Sequence, residues 1–276
     1  MIYHRGRCSI FYMRNLDCGL TLIESAQVFH WQEINGSYAA VVNGRILTPE
    51  TEDNEAARYF DDARDYDSIK QKCGNMPLVI EAINKLPGLR VLNQPVWEAL
   101  IAFILSANNN VKRIRQNVLS LNRLLGDKFT YNGEELYGFP EPKALMNVDP
   151  MLLKDKVRCG YRTEYLVKTA KMVYEGFPLE ELCQMPVDEA WKQLMRLSGV
   201  GPKVADCVLL FGCGHTEAFP VDVWVNRLMQ SWFNVSGSRE SIRREARNIF
   251  GDCCGLVQQY LFHAARTGLI SLKLDE

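Results

Sequence analysis

The chain has 276 residues, 47% of them hydrophobic, which is enough to bury a substantial core in two closely packed lobes. Its 32 Lys and Arg and 33 Asp and Glu give a net charge of -1, which excludes a broadly basic surface, so a polyanionic partner has to be bound by locally placed cations. No apolar run reaches membrane-spanning length, and the residues after Met1 lack the apolar segment of a signal peptide, which predicts a cytoplasmic protein without membrane insertion.

Nine cysteines raise the question of a metal site. Their spacing contains no Cys-x-x-Cys pair and no histidine at zinc-finger distance, so the sequence predicts no metal centre and no cofactor. We interpret most of the cysteines as small buried apolar residues.

The first 50 residues have the turn chemistry of an antiparallel sheet. The pairs Asn35-Gly36 and Asn43-Gly44 favour tight hairpin turns between short stretches of β-forming residues. The predicted strands are residues 28–34, 38–42 and 46–48, with one or two more before them, around Ser9–Met13 and Leu20–Ile23. An N-terminal antiparallel sheet lobe with following helices is therefore predicted over residues 1–92.

Residues 93–276 are predicted to be a second, mainly helical region. Val96–Leu105 follows Pro95 and is apolar nearly all round, which predicts a buried central helix. A basic amphipathic helix is predicted over Val111–Leu125, a short helix over Asp149–Val157, and a longer one from Gly160 onward. The fold class that this pattern indicates is α+β.

Three consecutive asparagines, Asn108, Asn109 and Asn110, separate the first two of these helices. Asparagines between helices are usually cap and turn residues. The local candidates for binding a polyanion are Lys112-Arg113-x-Arg115 and Arg158-x-x-x-Arg162, and each could equally be a solvated helix face.

Gly199 and Gly201 flank one valine between two apolar helical stretches, and Lys203 lies in the first turn of the second stretch. A hairpin of this kind can turn several backbone N–H groups outward, and glycine lets a phosphate approach without a Cβ in the way. The pattern therefore predicts a turn that binds the phosphate backbone of a nucleic acid. An isolated Gly-x-Gly would more often be a tight turn with a glycine cap.

Lys203 and Asp222 strengthen the prediction of chemistry at this hairpin. A helix start and partial burial both disfavour the charged form of a lysine, which is how the amine becomes a nucleophile. Asp222 follows Pro220 at the predicted start of another helix, where a carboxylate is favoured. Singly, Lys203 is more often a solvated charge and Asp222 a helix cap, but together with the hairpin they are a strong signal.

The string Leu-Ser-Gly-Val-Gly-Pro-Lys-Val-Ala-Asp-Cys, from Leu197 to Cys207, and the string Phe-Pro-Val-Asp-Val, from Phe219 to Val223, resemble the helix-hairpin-helix DNA glycosylases. The lysine and the Val-Asp-Val element are similar to their 8-oxoguanine glycosylase/lyase branch, and the resemblance covers most of the chain. It implies an α+β fold in which an N-terminal antiparallel β-sheet lobe precedes a mainly α-helical helix-hairpin-helix glycosylase region. It also implies a monomer that excises 8-oxoguanine, opposite cytosine, from double-stranded DNA in base excision repair and then nicks the strand.

The resemblance implies that Lys203 forms a Schiff base with the sugar and that Asp222 orients the amine. It implies a base pocket lined by Cys207 and Phe262, with Gln258 at the pairing edge of the flipped base. Helical spacing agrees, because Cys207 lies one turn after Lys203, and Gln258 and Phe262 are four residues apart. Without the resemblance, Cys207, Phe262 and Phe211 would be interpreted as core residues between helices, and for Phe211 we keep this interpretation.

Two positions depart from the family pattern. Ala26 stands where the family has a glycine whose carbonyl accepts the N7–H of 8-oxoguanine, and an alanine can supply this carbonyl if φ is negative there. Trp224 stands where many relatives place a histidine near a phosphate.

The resemblance also implies a set of residues that bind DNA. Asn108 and Arg113 are expected to touch the orphaned base, Tyr161 to wedge into the stack and Arg162 to read the opposite base. From the residues alone, Tyr161 could equally anchor a helix start in the core. The complete predicted set is Asn108, Asn109, Asn110, Arg113, Tyr161, Arg162, Gly199 and Gly201.

No catalytic metal is implied, although a monovalent cation often lies on the hairpin carbonyls in this superfamily, which would be those of Met195, Leu197 and Val200 here. The expected partner is double-stranded DNA that contains oxidised guanine. The protein is therefore expected to be cytoplasmic and associated with the nucleoid if it is prokaryotic, and to be nuclear if it is eukaryotic. Two alternatives stay open: a glycosylase for another damaged base, and a non-enzymatic DNA-binding module that uses the hairpin alone.

Overall fold

A computed structural model describes residues 14–72 and 76–272 of the chain. The strands are β1 (Gln32–Ile34), β2 (Ser37–Val42), β3 (Arg45–Leu47), β4 (Lys128–Tyr131) and β5 (Glu134–Tyr137). The helices are α1 (Asn54–Tyr59), α2 (Tyr66–Lys72), α3 (Pro77–Lys85), α4 (Val96–Ser106), α5 (Val111–Leu125), α6 (Pro142–Met146), α7 (Pro150–Leu152), α8 (Arg162–Tyr174), α9 (Val187–Leu194), α10 (Pro202–Gly212), α11 (Val223–Phe233), α12 (Arg239–Phe250) and α13 (Cys254–Arg266). The predicted α+β class, with small antiparallel sheets in a mostly helical chain, is confirmed.

The N-terminal sheet has the order β1-β2-β3, with both neighbouring pairs antiparallel. The Asn35-Gly36 and Asn43-Gly44 turns join the strands as predicted, and all four residues have positive φ, as such turns require. The strand predicted over Leu20–Ile23 is wrong, because Gly19–Glu24 forms a helical turn. Asp17 causes this, since its carboxylate accepts the Leu20 N–H at 2.9 Å and starts the helix. The strand predicted around Ser9–Met13 lies outside the described residues.

A second hairpin, β4–β5, was not predicted, although its turn is another Asn-Gly pair, Asn132-Gly133. Leu136 of β5 is buried against Ile34 and Val41 of the first sheet. The hairpin therefore extends the N-terminal sheet's small core from a distant part of the chain.

Helix α4 is the centre of the main core, as its sequence predicts. Every residue from Val96 to Ser106 except Trp97 is buried, and α10 packs along it. The close approach needs a glycine, because a Cβ on Gly212 would lie 3.1 Å from the Cα of Val96. Helix α13 packs between α3 and α11. The start of α10 is thereby held next to the end of α4.

Five described cysteines, Cys18, Cys159, Cys207, Cys253 and Cys254, are buried, which agrees with their interpretation as small apolar residues. Cys183 and Cys213 instead form a disulfide that their spacing did not predict. Across residues 14–72 and 76–272, the helices are all too short or too polar to cross a membrane.

Candidate active site

The turn between α9 and α10, residues Met195–Gly201, is here called the glycine hairpin. Gly199 has φ +78°, and a Cβ added to it would lie 2.6 Å from the Cβ of Tyr165. A Cβ added to Gly201 would meet no described heavy atom within 4 Å. Gly199 is thus required by the fold, whereas Gly201 leaves the backbone at the start of α10 open to a ligand.

Lys203 projects from the first turn of α10 onto the end of α4. Its Nζ donates a hydrogen bond to Ser106 Oγ at 2.9 Å and lies 5.0 Å from the centre of the Phe103 ring. The ring of Phe211 stacks on the ring of Phe103, with 5.3 Å between the ring centroids, and Phe211 is buried in the core as the sequence predicts. The amine is therefore half-buried and held by a single neutral hydroxyl.

Cys207 lies one turn along α10 and is only 2% exposed. Burial raises the pKa of its thiol to about 12, against the lowering effect of the Lys203 cation, while the Asp222 carboxylate raises it. The thiol is therefore neutral at physiological pH. Lys203 and Asp222 both act electrostatically on this one buried sulfur, so the three side chains lie in one region of the protein. Their action as one catalytic site stays a prediction.

Asp222 begins α11 as its N-cap. Its Oδ1 accepts the backbone N–H of Val225 at 2.8 Å, which fixes the carboxylate. The helix-cap interpretation of Asp222 is thus correct, and orientation of the Lys203 amine by this fixed carboxylate stays a prediction.

Gln258 lies on α13 and is 4% exposed. Its Nε2 makes a long hydrogen bond of 3.5 Å to the carbonyl of Pro220, two residues before Asp222. Its Oε1 is buried and has no hydrogen-bond partner among the described residues. Most buried polar atoms in proteins are paired, so this amide oxygen is available to accept a hydrogen bond from a ligand. Phe262, one turn further, is half-buried.

Ala26 lies next to α13, because the residues that precede it are hydrogen-bonded to this helix. Gln259 of α13 donates to the carbonyl of Ser25 at 2.8 Å, and Arg266 donates to the carbonyl of Glu24. The backbone φ of Ala26 is +61°, so the condition of a negative φ is not met and the alanine is in the left-handed region. The predicted pocket residues on α10, α13 and this loop therefore converge, with strain at one of them.

The turn between α4 and α5, residues Ala107–Asn110, is here called the asparagine turn. Asn108 is exposed with φ +50°, and Arg113 is exposed in the next turn of α5. Asn109 is directed inward, where its Nδ2 donates to Leu105 O at 3.0 Å and to Asn117 Oδ1 at 3.1 Å. Asn110 caps α5. Asn109 and Asn110 are thus engaged within the protein, and a DNA contact by either stays a prediction.

Tyr161 and Arg162, at the start of α8, differ in exposure and in the groups that they contact. Tyr161 is 54% exposed, which contradicts a role as core anchor, and its hydroxyl donates to Ala107 O at 3.2 Å. Arg162 is only 5% exposed, and its guanidinium donates to Ala107 O and Asn108 O, each at 2.8 Å. In this structure Arg162 holds the asparagine turn from behind, and reading of the opposite base by Arg162 stays a prediction.

A groove of about 780 Å³ lies beside the asparagine turn. Lys112 and Arg113 of α5 and Lys156 and Arg158 of the segment before α8 line it, and all four are exposed. Arg115 does not belong to this basic surface, because it donates to the carbonyl of Trp31 and burial lowers its pKa. Each of the two basic segments predicted from the sequence thus contributes some of its residues, but not all of them, to the lining of this groove.

Residues 101–251 match the HhH-GPD superfamily of base excision DNA repair proteins. The chain belongs to the HhH-GPD superfamily. The matched region contains the glycine hairpin, Lys203 and Asp222, but it excludes Ala26, Gln258 and Phe262. The predicted base pocket of this HhH-GPD chain therefore includes residues on either side of the matched segment.

The relatives of this HhH-GPD chain include a probable N-glycosylase/DNA lyase of Methanothermobacter thermautotrophicus, 38% identical over 66% of this chain and 65% of the relative. The N-glycosylase/DNA lyase of Saccharomyces cerevisiae is 32% identical over 56% of this chain and 45% of the relative. The chain thus spans about half to two thirds of the length of these curated relatives.

Among solved structures, the 8-oxoguanine glycosylase/lyase of Clostridium acetobutylicum, in complex with double-stranded DNA that contains cytosine opposite 8-oxoguanine, is 31% identical. It superposes with a TM-score of 0.86 over 93% of this chain and 94% of that protein. The similarity extends over nearly the whole HhH-GPD fold described above, including the N-terminal sheet and α13.

Sequence reasoning missed two residues of the site. Ser106, the partner of the Lys203 amine, is the last residue of an apolar helix, and its polarity at that place was the only available signal. Gln259, which anchors the Ala26 loop, stands beside Gln258 and has no sequence signal of its own, since its partner is 234 residues away.

Proposed function

We propose that this HhH-GPD protein is a bifunctional DNA glycosylase and abasic-site lyase that excises 8-oxoguanine from double-stranded DNA, opposite cytosine, in base excision repair. The observation that carries the proposal is a half-buried Lys203 amine, bonded to Ser106, in the same region as a fixed carboxylate and a buried unpaired amide. The names of the relatives support the same activity.

Reaction begins with the base rotated out of the duplex, since no side chain reaches the glycosidic bond inside the stack. The Lys203 nitrogen attacks C1′ and the C1′–N9 electron pair leaves with the base, which takes up a proton. Asp222 stabilises the positive charge that develops on the sugar. The resulting aminal opens as the C1′–O4′ bond breaks, leaving an imine between Lys203 and C1′ and a hydroxyl at C4′.

Strand cleavage follows because the nucleophile that attacks C1′ is an amine and not water. The imine acidifies the C2′ proton, and its removal forms a C2′–C3′ double bond as the C3′–O bond breaks and the 3′ phosphate leaves. Water then hydrolyses the imine and returns the Lys203 amine. An enzyme that attacked C1′ with water would stop at the abasic site.

The slot between α10 and α13 suits an oxidised guanine. The pairing edge of guanine presents two donors, N1–H and N2–H, and the unpaired Oε1 of Gln258 is a buried acceptor. Phe262 supplies a flat wall opposite Cys207. Ala26 has φ +61° rather than the negative φ expected from the sequence, and we propose that in this conformation, which a glycine adopts freely, its carbonyl accepts the N7–H that 8-oxoguanine has and guanine lacks. The neutral thiol of Cys207 adds no charge that would disfavour an uncharged base.

The duplex is held at two places. Backbone N–H groups of the glycine hairpin bind a phosphate near the lesion, in front of the open face of Gly201. Asn108, Arg113 and the exposed ring of Tyr161 enter the space that the flipped base leaves. A single chain carries all of these groups, so the active form is a monomer.

Lys203→Gln tests the function directly. We expect loss of 8-oxoguanine excision by at least about a thousand-fold with DNA affinity within about threefold of wild type, because the amine is the nucleophile and not a main contact. Borohydride should trap the wild-type protein on lesion-containing DNA and should fail with Lys203→Gln. Asp222→Asn should slow both steps while keeping the α11 cap.

A non-enzymatic DNA-binding module would show no activity to lose in either variant. Duplexes with thymine glycol or an alkylated purine, offered beside 8-oxoguanine, test the second alternative, a glycosylase for another base. Relatives named as DNA-3-methyladenine glycosylases, such as one of Bacillus subtilis that is 27% identical, make the alkylated purine a necessary control.

The preference for cytosine is tested with 8-oxoguanine placed opposite each of the four bases. We expect Arg113→Ala to reduce the preference by roughly tenfold, since one lost hydrogen-bonding side chain changes discrimination by about 1–3 kcal/mol. Equal excision opposite all four bases by the wild type would contradict the proposal for Asn108 and Arg113, and Lys112→Ala, on the adjacent position of α5, is the matched control.

A further inference from the structure

Ala26, at the edge of the base slot, keeps a left-handed backbone with φ +61°. This conformation is unfavourable for alanine, because its Cβ comes too close to the following carbonyl oxygen. Such residues persist only where the surrounding structure holds them, and they cluster at functional sites. The contacts that hold Ala26 therefore bear on what the slot does.

Both neighbours of Ala26 are fully buried and hydrogen-bonded. Ser25 Oγ donates to Thr21 O at 2.6 Å. Gln27 Nε2 donates to Ser25 Oγ at 3.0 Å and to Arg90 O at 2.7 Å. These bonds anchor the residues on either side of Ala26 to the N-terminal part of the chain, and none of them involves α13.

One anchor comes instead from the helix that forms the pocket wall. Gln259 is 2% exposed, and its Nε2 donates to the carbonyl of Ser25 at 2.8 Å. It is adjacent to Gln258 and lies on the same helix as Phe262. The peptide between Ser25 and Ala26 is thus tied directly to the helix that carries the base-reading amide.

We propose that Gln259 is a positioning residue for base recognition, which holds the Ser25-Ala26 peptide against α13 and so sets the distance between the Ala26 carbonyl and the Gln258 amide. The inference rests on the proposed function, since it concerns the same slot. At the set distance an N7–H reaches the carbonyl, whereas guanine presents an N7 lone pair that the carbonyl repels. Without the anchor, the strained left-handed backbone of Ala26 is free to relax, and its carbonyl moves from the position at which it accepts the N7–H.

Gln259→Leu tests the proposal, because it preserves the side-chain size and removes the donor. We expect single-turnover excision of 8-oxoguanine opposite cytosine to fall at least about tenfold, with strand cleavage at a preformed abasic site within about twofold of wild type. Abasic-site cleavage needs the Lys203 amine but no base reading. Gln259→Asn, which draws the donor back by one methylene, should show the same split if the leucine variant folds poorly.

Tyr260→Phe is the matched control. Its hydroxyl, on the same buried helix, donates to Leu89 O at 2.8 Å, so the variant also deletes one bond from α13 to the N-terminal part of the chain. It leaves the Ala26 loop untouched, and both activities should stay within about twofold of wild type.

Ala26→Gly separates positioning from general stability. Glycine adopts φ +61° without strain, so Gln259→Leu should lower excision less in the Ala26→Gly background than in wild type. Equal losses in the two backgrounds, a parallel fall of excision and abasic-site cleavage, or no fall at all would each overturn the inference. A wild-type protein that does not excise 8-oxoguanine would instead overturn the proposed function, which is a separate result.

Discussion

The asparagine turn and the glycine hairpin both join two helices, but they are held by different contacts. In the asparagine turn, the Arg162 guanidinium donates to the carbonyls of Ala107 and Asn108, and the Asn109 side chain is directed inward. In the glycine hairpin, the left-handed Gly199 packs against Tyr165, and Thr169 donates a hydrogen bond to the carbonyl of Ser198 at 2.7 Å. One presents side chains to the surroundings and the other presents backbone.

The difference matches what each turn is proposed to bind. Side chains such as Asn108 can distinguish one base from another, whereas backbone N–H groups bind any phosphate and carry no sequence information. The four residues of the asparagine turn all carry a Cβ, and side-chain hydrogen bonds from Arg162 and Asn109 fix its path. A turn that presents backbone needs residues without a Cβ, and the glycines themselves then set the path.

Gly199→Ala should give the largest effect. A Cβ at 2.6 Å from Tyr165 Cβ and a left-handed alanine should together lower the free energy of unfolding by about 3 kcal/mol or more. Urea unfolding followed by circular dichroism measures this. Glycosylase and lyase activities should disappear together. A variant with the unfolding midpoint of the wild type would show that the hairpin is not fixed by this glycine.

Arg162→Met should give an intermediate effect. The methionine keeps the apolar stem, but Asn108 O loses this donor and Ala107 O keeps only the hydrogen bond from the Tyr161 hydroxyl, which should cost about 1–3 kcal/mol. Hydrogen exchange should quicken at the amides of residues 107–110 and stay slow in the glycine hairpin. If exchange quickens equally in both turns, the stabilisation by Arg162 is not specific to the asparagine turn. Arg158→Met, an exposed arginine of the same surface, is the control.

Gly201→Ala should have the smallest effect on protein stability and a clear effect on DNA affinity. The added Cβ meets no described atom within 4 Å, so stability should stay within about 0.5 kcal/mol of wild type. Affinity for undamaged duplex, measured by fluorescence anisotropy, should fall roughly tenfold because the methyl group occupies the approach of the phosphate. Unchanged affinity would place the phosphate elsewhere.

Local chemistry accounts for what the sequence predicts well. The Asn35-Gly36 and Asn43-Gly44 pairs require φ values that specify hairpins, and the uniform apolar character of Val96–Leu105 predicts α4 within one residue. The strand predicted over Leu20–Ile23 failed for a local reason as well, since the Asp17 cap was overlooked.

Tertiary contacts account for the rest. Nothing near Arg162 or Arg115 in the sequence distinguishes a guanidinium that binds protein carbonyls from one that faces DNA. The positive φ at Ala26 depends on buried partners that are distant in sequence, such as Gln259. The family pattern identifies which residues belong to the site, but only the folded chain specifies which of them are free to meet a ligand.

The hydrogen bond from Lys203 Nζ to Ser106 Oγ has one more consequence. Ser106 ends α4, and the very next residue, Ala107, begins the segment that is proposed to penetrate the duplex. The nucleophile and the penetrating segment are consequently attached to the same helix terminus. Any displacement of that segment on entering DNA reaches the reactive nitrogen within one residue, so occupation of the gap and readiness of the amine are mechanically coupled.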